Sequence, residues 1–459
     1  MTKVALSDHF TFKKIARISL SPILMMIFTS LYTIVDGIFV SNFASPEAFA
    51  GLNLIWPTIM IVAGVGFMLG TGGTALVSKL LGEQKKEEAN RVFSLIIYAT
   101  FIIGVVLSVV GFLCVRPIAE AMGRLSKNAS DKMVEQAVIY GRILMSAQSM
   151  FMLQNAFQSF FVTAERPGKG FLFTLFAGIT NMILDALFIG LAGWGVVGAA
   201  LATIGGYIVG GVGPLLYFIF KKDLNIRLGK TSFMLRPLLR SMGNGISEFI
   251  SNISSSIVGL IYNMQLLRYF GQEGVSAYGI VMYVGFVFVA MFIGYAIALA
   301  PVIGYHYGAK NTKEVQNVLN KSLTIIGISG VLMFGLSLLM AKHFSMIFAS
   351  NNPRLLEIAT DAMRIYSLTY LFSGFSMYLS SYFTALNNGL ISGLISSIRT
   401  LVLQIACVFI FPLILDGNGI FFASVFAEVG SVILSFTFLL VYRKKYGYWV
   451  KDTTKGQES

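Results

Sequence analysis

The stretches KLLGEQKKEEANRVF at residues 79–93 and YHYGAKNTKEVQNVL at residues 305–319 decide the fold, because they are related copies within one chain. One offset pairs Gly82 with Gly308 and Glu88 with Glu314. A slightly shorter offset pairs Arg142 with Arg364 and Ser159 with Ser381. Single identities of this kind are weak, but their order is the same in both halves. We therefore interpret the chain as an internal duplication.

Long apolar segments flank both copies. The chain is 56% hydrophobic and 12% charged, whereas an average soluble domain is about 25% charged. A helix that crosses a bilayer needs about 20 apolar residues, and twelve segments meet this requirement. Their predicted cores are 16–41, 50–78, 92–114, 134–162, 170–191, 196–220, 238–267, 276–306, 320–341, 356–385, 390–415 and 419–442.

The expected fold is an all-α membrane protein with twelve transmembrane helices in two six-helix lobes. Because six is an even number, both copies cross the membrane in the same sense, and the pseudo-twofold axis that relates them runs along the membrane normal. The predicted division is an N-terminal lobe at 1–220, a cytoplasmic linker at 221–236, a C-terminal lobe at 237–443 and a cytoplasmic tail at 444–459.

The positive charge is distributed asymmetrically. Of the 34 Lys and Arg residues, 24 fall before the first span, after the last span and in the alternate loops, whereas seven fall in the other loops. Cytoplasmic loops carry the excess of positive charge, so both termini are expected in the cytoplasm of a cell with the chain in its plasma (inner) membrane. This bias explains the net charge of +13 without nucleic acid, and the first span is expected to be retained.

Acidic and polar side chains meet at one predicted depth in the first half. Asp36 lies near the outer end of the first span, and Asp185 lies at a similar level in the fifth. Asn181 is one turn from Asp185, and Thr203 of the sixth span shares their depth. These oxygens suit Na⁺ or a proton, and the alternative is a hydrogen-bonded pair that only joins helices. Further candidates around them are Tyr32, Tyr140, Asn155 and Gln158.

Three charged residues lie within the spans of the second half. An ion pair between Arg399 and Glu428 is expected to hold that half together. Glu248 has no basic neighbour in the sequence, so it is the better candidate for contact with a cation or a proton.

Several kinds of active site are missing from the sequence. No G-x-x-x-x-G-K-[ST] motif occurs, so an ion gradient is the expected energy source. His9, His306 and His343 lack metal-ligand spacing. We expect neither an enzyme nor a cofactor, with Na⁺ or H⁺ as the coupling ion.

The chain resembles the multidrug and toxic compound extrusion (MATE) transporters. The resemblance rests on TIVDGIFVSNF (33–43), GTGGTALVSKLLGEQKKEEANRVF (70–93), NMILDALFI (181–189) and AEVGSVILSF (427–436). It implies export of organic cations by alternating access, and it assigns the cation or proton site to Asp36, Asn181, Asp185 and Thr203. It also implies a fourth-span amide, for which Gln158 and Asn155 are rival candidates. A two-acid site in the second lobe would pair Glu248 with an acid on the tenth span, and none occurs there from 364 to 388.

The expected substrates are cationic drugs or dyes, the expected surroundings are membrane lipid, and the expected state is a monomer. An alternative function is a flippase for a lipid-linked oligosaccharide on the same fold. A large anionic headgroup should require several basic residues in the cavity, whereas the spans offer acids and one deeply placed Arg399.

Overall fold

The structure, a computed structural model, describes residues 4–125, 130–221, 223–350 and 352–449. Within these ranges it contains helices and no strands, as expected. Most of the predicted tail, from residue 450 onward, lies outside the described residues, as do Lys3, Lys127 and Lys222 of the charge count.

The first lobe consists of seven helices that form six spans. Their bounds are α1 Phe12–Phe43, α2 Pro46–Gly82, α3 Lys86–Leu125, α4 Asp131–Ser146, α5 Gln148–Thr163, α6 Pro167–Asp185 and α7 Gly195–Phe220. A π-helical segment, Ala186–Leu191, extends α6 directly after Asp185.

The second lobe repeats this arrangement with more interruptions. Its helices are α8 Leu235–Asn244, α9 Ile246–Gly308, α10 Thr312–Ala349, α11 Pro353–Ser367, α12 Tyr370–Ala385, α13 Gly389–Ser397, α14 Gln404–Ile410, α15 Pro412–Leu415 and α16 Asn418–Tyr446. A second π-helical segment, Ile398–Leu403, joins α13 to α14 and contains Arg399.

The twelve predicted spans are present, although four of them are broken, the seventh at Gly245, the eleventh at Phe411, and the fourth and tenth within helix pairs. Nine helical segments among the described residues are long and apolar enough to cross a membrane. One of these, α9, contains two spans, and the pairs α4–α5 and α11–α12 supply the fourth and tenth spans, with breaks at Ala147 and at Leu368–Thr369. The sequence predicted the fourth and tenth spans each as one continuous helix, because apolar content averaged over a whole span does not register a break of one or two residues.

Spans seven and eight meet at Gly271 without an intervening loop. Gly271 adopts φ 65° and ψ −154°, a region that is open essentially to glycine. The sequence predicted a loop at 268–275 between these spans, whereas the structure is helical on both sides of Gly271. In the first lobe the corresponding turn is Ala44–Ser45, where Ser45 caps α2 by accepting a hydrogen bond from the Ala48 amide.

The lobes pack tightly at the end of the bundle where α1 begins and α16 ends, which we call the termini end. A Cβ atom on Gly82 would overlap the main-chain oxygen of Tyr305, and one on Gly308 would overlap that of Lys79. The two copies identified in the sequence thus face each other across the lobe boundary. Deeper in the bundle, Gly294 of α9 packs against the backbone of Ile23 in α1.

The connection between the lobes lies along the first lobe. Residues 223–234 are not helical, and their Leu224 and Ile226 side chains are buried against α2 and α3. Asn90 accepts a hydrogen bond from the Arg227 amide at 2.9 Å, and Ser94 accepts one from the Gly229 amide at 3.0 Å. The boundaries of the lobes at 220 and 237 stay a prediction.

Candidate ion and substrate site

Asp36 and Asp185 face each other between α1 and α6. Asp36 lies in the half of α1 away from the termini end, and Asp185 is the last residue of α6, where the π-helical segment begins. Their carboxyl groups are near enough to interact directly. The turn of a π-helix is wider, so it shifts the residues after it out of regular α-helical register. Such turns occur often at functional sites.

These carboxylates lack protein donors. Asp185 is fully buried, and neither of its side-chain oxygens has a hydrogen-bond partner among the described residues; the same is true of Oδ1 of Asp36. Two ionised carboxylates are both acceptors, so they bond to each other only when one carries a proton. A cation between them would satisfy the same oxygens. The two carboxylates therefore need a bound proton or cation to satisfy their oxygens.

Asn181 and Thr203 add neutral oxygens near this pair. The Asn181 side chain is buried, and neither its oxygen nor its nitrogen has a partner among the described residues. Gly206 of α7 lies against Asn181, where it lets the two helices approach closely. Thr203 donates its hydroxyl to the Ala199 carbonyl at 2.9 Å, which leaves the lone pairs of the hydroxyl oxygen free to accept. The structure brings all four predicted ligands to one region.

Tyrosine hydroxyls surround the acids. Tyr140 is fully buried, with its hydroxyl beside Thr203 and within electrostatic range of Asp36 and Asp185. Tyr32 lies one turn from Asp36 on α1. Both residues therefore occupy the positions that the sequence analysis expected of them.

Two further residues of this site were not predicted as members. Tyr207 of α7 stacks on Phe151 at a centroid distance of 4.3 Å and lies within electrostatic range of Asp36. Gln154 of α5 is in hydrogen-bonding range of Tyr32. Gly210 of α7 lies against Gln154, because a Cβ atom at that position would overlap the amide oxygen of Gln154.

The two predicted fourth-span amides lie on the same helix as Gln154. Gln158 is one turn closer to the termini end, where its Nε2 is 3.5 Å from the Thr174 hydroxyl, and it lines one small cavity together with Gln154. The main-chain oxygen of Asn155 lies beside Gly70 of α2, and the Asn155 side-chain nitrogen has no hydrogen-bond partner among the described residues. The choice between Gln158 and Asn155 as the amide of the site stays a prediction.

Arg399 and Glu428 form the predicted ion pair in the second lobe. Arg399 Nε lies 3.0 Å and 3.1 Å from the two Glu428 oxygens, and its Nη2 lies 2.9 Å from Oε1. The two side chains are 17% and 7% exposed, so the fork is largely withdrawn from water.

Glu248 has no basic neighbour in the sequence, but it has one in space. It lies in the first turn of α9, half-buried, within electrostatic range of Arg399. Packing of α9 on the π-helical segment 398–403 brings these two residues near each other although they are far apart in the sequence. Glu248 is thus less suited to hold a cation by itself than the sequence indicated.

Asp36 of the acid pair lies near a tyrosine of the second lobe. Asp36 is half-buried, and Tyr283 of α9 lies within its electrostatic range. A cavity of about 260 Å³ at the termini end, lined by Leu6, Gln84, Glu165 and Tyr305, lies elsewhere. No group of three or more His, Cys, Asp or Glu residues that could hold a metal ion occurs within the described ranges. The pair of Asp36 and Asp185 has only two such residues, and its other oxygens come from Asn181 and Thr203.

Comparison with known proteins identifies the family. A model of the family described as MatE matches residues 22–187 and again residues 248–410. The chain belongs to the MatE family. The two matched segments of this MatE chain begin at positions 22 and 248, and the offset between them equals the offset between Gly82 and Gly308 in the internal duplication.

Relatives and a solved structure of similar proteins agree with this assignment. The multidrug export protein MepA of Staphylococcus haemolyticus is 22% identical over 382 residues, covering 82% of each protein. The FAD transporter of Shewanella oneidensis is 22% identical, over 73% of this chain and 74% of its own. The crystal structure of MATE in complex with MaL6 has a TM-score of 0.88 at 23% identity, covering 96% of this chain and 97% of that one. At this identity the structural match shows the twelve-helix, two-lobe fold. The chain is therefore a membrane transporter and not an enzyme.

Proposed function

We propose that this MatE chain is a secondary multidrug antiporter that exports lipophilic cations in exchange for Na⁺ or H⁺. The single observation that carries the proposal is the pair of buried carboxylates, Asp36 and Asp185, whose oxygens lack protein donors. An unpaired charge at this depth is costly, so the pair favours binding of a cation or a proton. The names of relatives such as MepA support export of drugs.

The candidate ligands suit either coupling ion. Asp36, Asp185, Asn181 and Thr203 offer carboxylate, amide and hydroxyl oxygens, the hard donors that Na⁺ prefers. For proton coupling, one carboxyl would donate to the other while Tyr140 orients the pair. No resident cofactor is part of this proposal.

Occupancy of this site must change the relative stability of the two facing states if an ion gradient is to drive export. Helix α1 gives the physical connection. It carries Asp36 and packs on α6 of its own lobe, and near Ile23 it also packs against Gly294 of the second lobe. A change in the distance between Asp36 and Asp185 is thereby transmitted to the contact between lobes.

Orientation follows from the charge bias. We infer that the termini end lies in the cytoplasm, because it carries most of the Lys and Arg residues, and that the protein is a monomer in the plasma membrane. The close backbone contacts at Gly82 and Gly308 then seal the cytoplasmic side, and the space between Asp36 and Tyr283 faces outward. This arrangement corresponds to an outward-facing state.

The electrostatics favour a cationic substrate over an anionic one. Arg399, the deep basic residue that a flippase or a carrier of an anion such as FAD could use, already forms a bidentate pair with Glu428. Asp36 and Asp185 remain uncompensated. A cationic drug that enters the space between the lobes therefore meets net negative charge.

Reconstituted vesicles test the proposal directly. Uptake of a fluorescent lipophilic cation is measured in proteoliposomes under an imposed Na⁺ gradient and, separately, an imposed pH gradient. We expect one gradient to accelerate uptake at least tenfold over vesicles without a gradient. Equal rates under all conditions, or flipping of an anionic lipid-linked headgroup without cation transport, would contradict the antiporter.

A further inference from the structure

The residues that precede α1 cross the termini end between the two lobes. Residues 4–11, which we call the N-terminal strap, are not helical, and α1 starts after them with Thr11 as its cap. Leu6 and Phe10 of the strap are buried. They belong to one apolar cluster with Val162 of α5 in the first lobe and with α9 and α10 in the second. The strap thus fills the seam between the lobes.

The second lobe binds the strap through the first turns of α10. Glu314 Oε1 accepts a hydrogen bond from the Phe10 amide at 2.7 Å, and its Oε2 lies 2.7 Å from Nδ1 of His9. The Phe10 carbonyl accepts hydrogen bonds from Asn317 at 3.0 Å and Lys321 at 2.7 Å. Both polar groups of one peptide residue are thereby bound by one helix of the opposite lobe.

The aromatic ring of Phe10 adds a packing contact to these hydrogen bonds. It meets the buried His306 ring near the end of α9 edge-on, at a centroid distance of 6.1 Å and an angle of 87°. Edge-to-face pairs add stability beyond the area that they bury. Phe10 therefore contacts both α9 and α10.

The first lobe holds the other part of the strap. The Leu6 amide donates to Oε1 of Glu165 at 2.9 Å, in the turn between α5 and α6. The strap is also continuous with α1, which packs on α6 of the first lobe and, through Ile15 and Ile18, on the apolar cluster of the second lobe. The strap is thus held by both lobes, through the Leu6 contact on the first lobe and the Phe10 contacts on the second.

Glu314 differs in this respect from its counterpart in the first half. Glu88, with which it pairs in the internal duplication, is exposed on α3, whereas Glu314 is 6% exposed. The duplication preserved the carboxylate, but only the copy in the second lobe meets the strap. The pair supplies a matched control, because the same substitution can be made at both positions.

We propose that the N-terminal strap is a latch that stabilises closure of the lobes at the termini end, with Phe10 and Glu314 as its main contacts. Opening at this end moves the lobes apart, so the Phe10 contacts with α10 or the Leu6 contact with Glu165 must break. This inference rests on the proposed alternating access for its role in transport. The latch itself acts on the distance between lobes, whatever ion or substrate is carried.

Distance measurement between spin labels tests the latch. Labels are placed on Lys169→Cys in the first lobe and Lys444→Cys in the second, both exposed at the termini end, in a background in which Cys114 and Cys407 are replaced by Ala. Phe10→Ala and Glu314→Ala are compared with the parent and with Glu88→Ala. We expect the ratio of long to short distances to rise at least fivefold in Phe10→Ala and Glu314→Ala and to stay at the parent value in Glu88→Ala.

Distance distributions of Phe10→Ala and Glu314→Ala that match the parent would overturn the latch, and so would an equal rise in Glu88→Ala. Size-exclusion profiles establish that each variant is folded, and if Glu314→Ala is not, Phe10→Ala alone decides. The measurement needs no gradient and no substrate. A failure of ion coupling in vesicles would therefore leave this result unchanged, and the two proposals can fail separately.

Discussion

Arg399 and Glu428 occupy positions whose counterparts in the first copy, Ala177 and Gly206, are also in contact. These counterparts follow from the same offset that pairs Arg364 with Arg142. A Cβ atom on Gly206 would lie 3.1 Å from the Ala177 carbonyl oxygen, whereas the Arg399 Nη2 atom lies 2.9 Å from Glu428 Oε1. The same crossing of the fifth and sixth helices of a lobe is thus closed by small residues in one copy and by an ion pair in the other.

This relationship predicts how the ion pair responds to substitution. Glu428→Gln leaves the Arg399 guanidinium without its counter-charge, which should lower the free energy of unfolding by about 3 kcal/mol. The double variant Arg399→Met with Glu428→Leu restores an uncharged crossing and should recover most of that loss. Thermal unfolding in detergent measures both. A double variant less stable than Glu428→Gln would show that the charges themselves are required.

The carboxylates of the candidate ion site should be needed individually. Asp36→Asn or Asp185→Asn removes one negative charge from a pair that binds a single cation or proton, so gradient-driven dye transport should fall at least tenfold. Because the two acids act as one site, the double variant should lose little more. Asp361→Asn, at an exposed acid paired with Arg364, is the control. Transport at the parent rate in a folded Asp36→Asn or Asp185→Asn protein would refute the site.

Much of the fold was predictable because it depends on length and period. Composition over the length of a whole span determines the number of apolar segments, the even number of spans per copy and the alternation of charge between loops. Local packing does not change these properties. The break at Ala147 was not predictable, and neither was the replacement of the expected loop at 268–275 by a single glycine, because each depends on the backbone of one residue.

Gly210 should be intolerant of a side chain. A methyl group at this position would overlap the Gln154 amide oxygen and push the amide away from Tyr32. We expect Gly210→Ala to lower the dye transport rate by about the same factor as Gln154→Leu, with normal expression. Gly335→Ala is the control, since a Cβ atom there meets no neighbour. Parent-like transport by Gly210→Ala would exclude Gln154 from the site.

The paired glycines at the lobe boundary should control closure. Gly308→Ala introduces a methyl group against the Lys79 carbonyl, so the lobes should separate at the termini end. Ser78→Cys, at a buried position beside Gly304, should then react at least tenfold faster with a water-soluble thiol reagent in a protein without its native cysteines. Reactivity that matches the Ser78→Cys parent would show that the helices adjust without opening.

Members of the candidate site could be predicted from the sequence when their depth in the membrane was enough to select them. They could not be predicted when the rotation of a helix about its axis determines which side chain faces the site. Polar side chains at one level of neighbouring spans are few, and for this reason the sequence analysis selected Asp36, Asn181, Asp185 and Thr203. Gln158 and Asn155 were the two candidates for the fourth-span amide, and Gln154 was not among them, because amides close together on one helix are distinguished only by their neighbours. Tyr207 was missed because a tyrosine in a span has no polar signature until its ring is known to stack on Phe151.

Gly271 makes the seventh and eighth spans a single mechanical piece. With one residue between them, no slack exists to absorb a rotation of the seventh span, so torsion must pass straight into the eighth or be taken up at the glycine itself. The first lobe has no such constraint, since Ala44 and Ser45 separate its spans. The two halves of this duplicated chain therefore differ in how a rotation passes from their first span to their second.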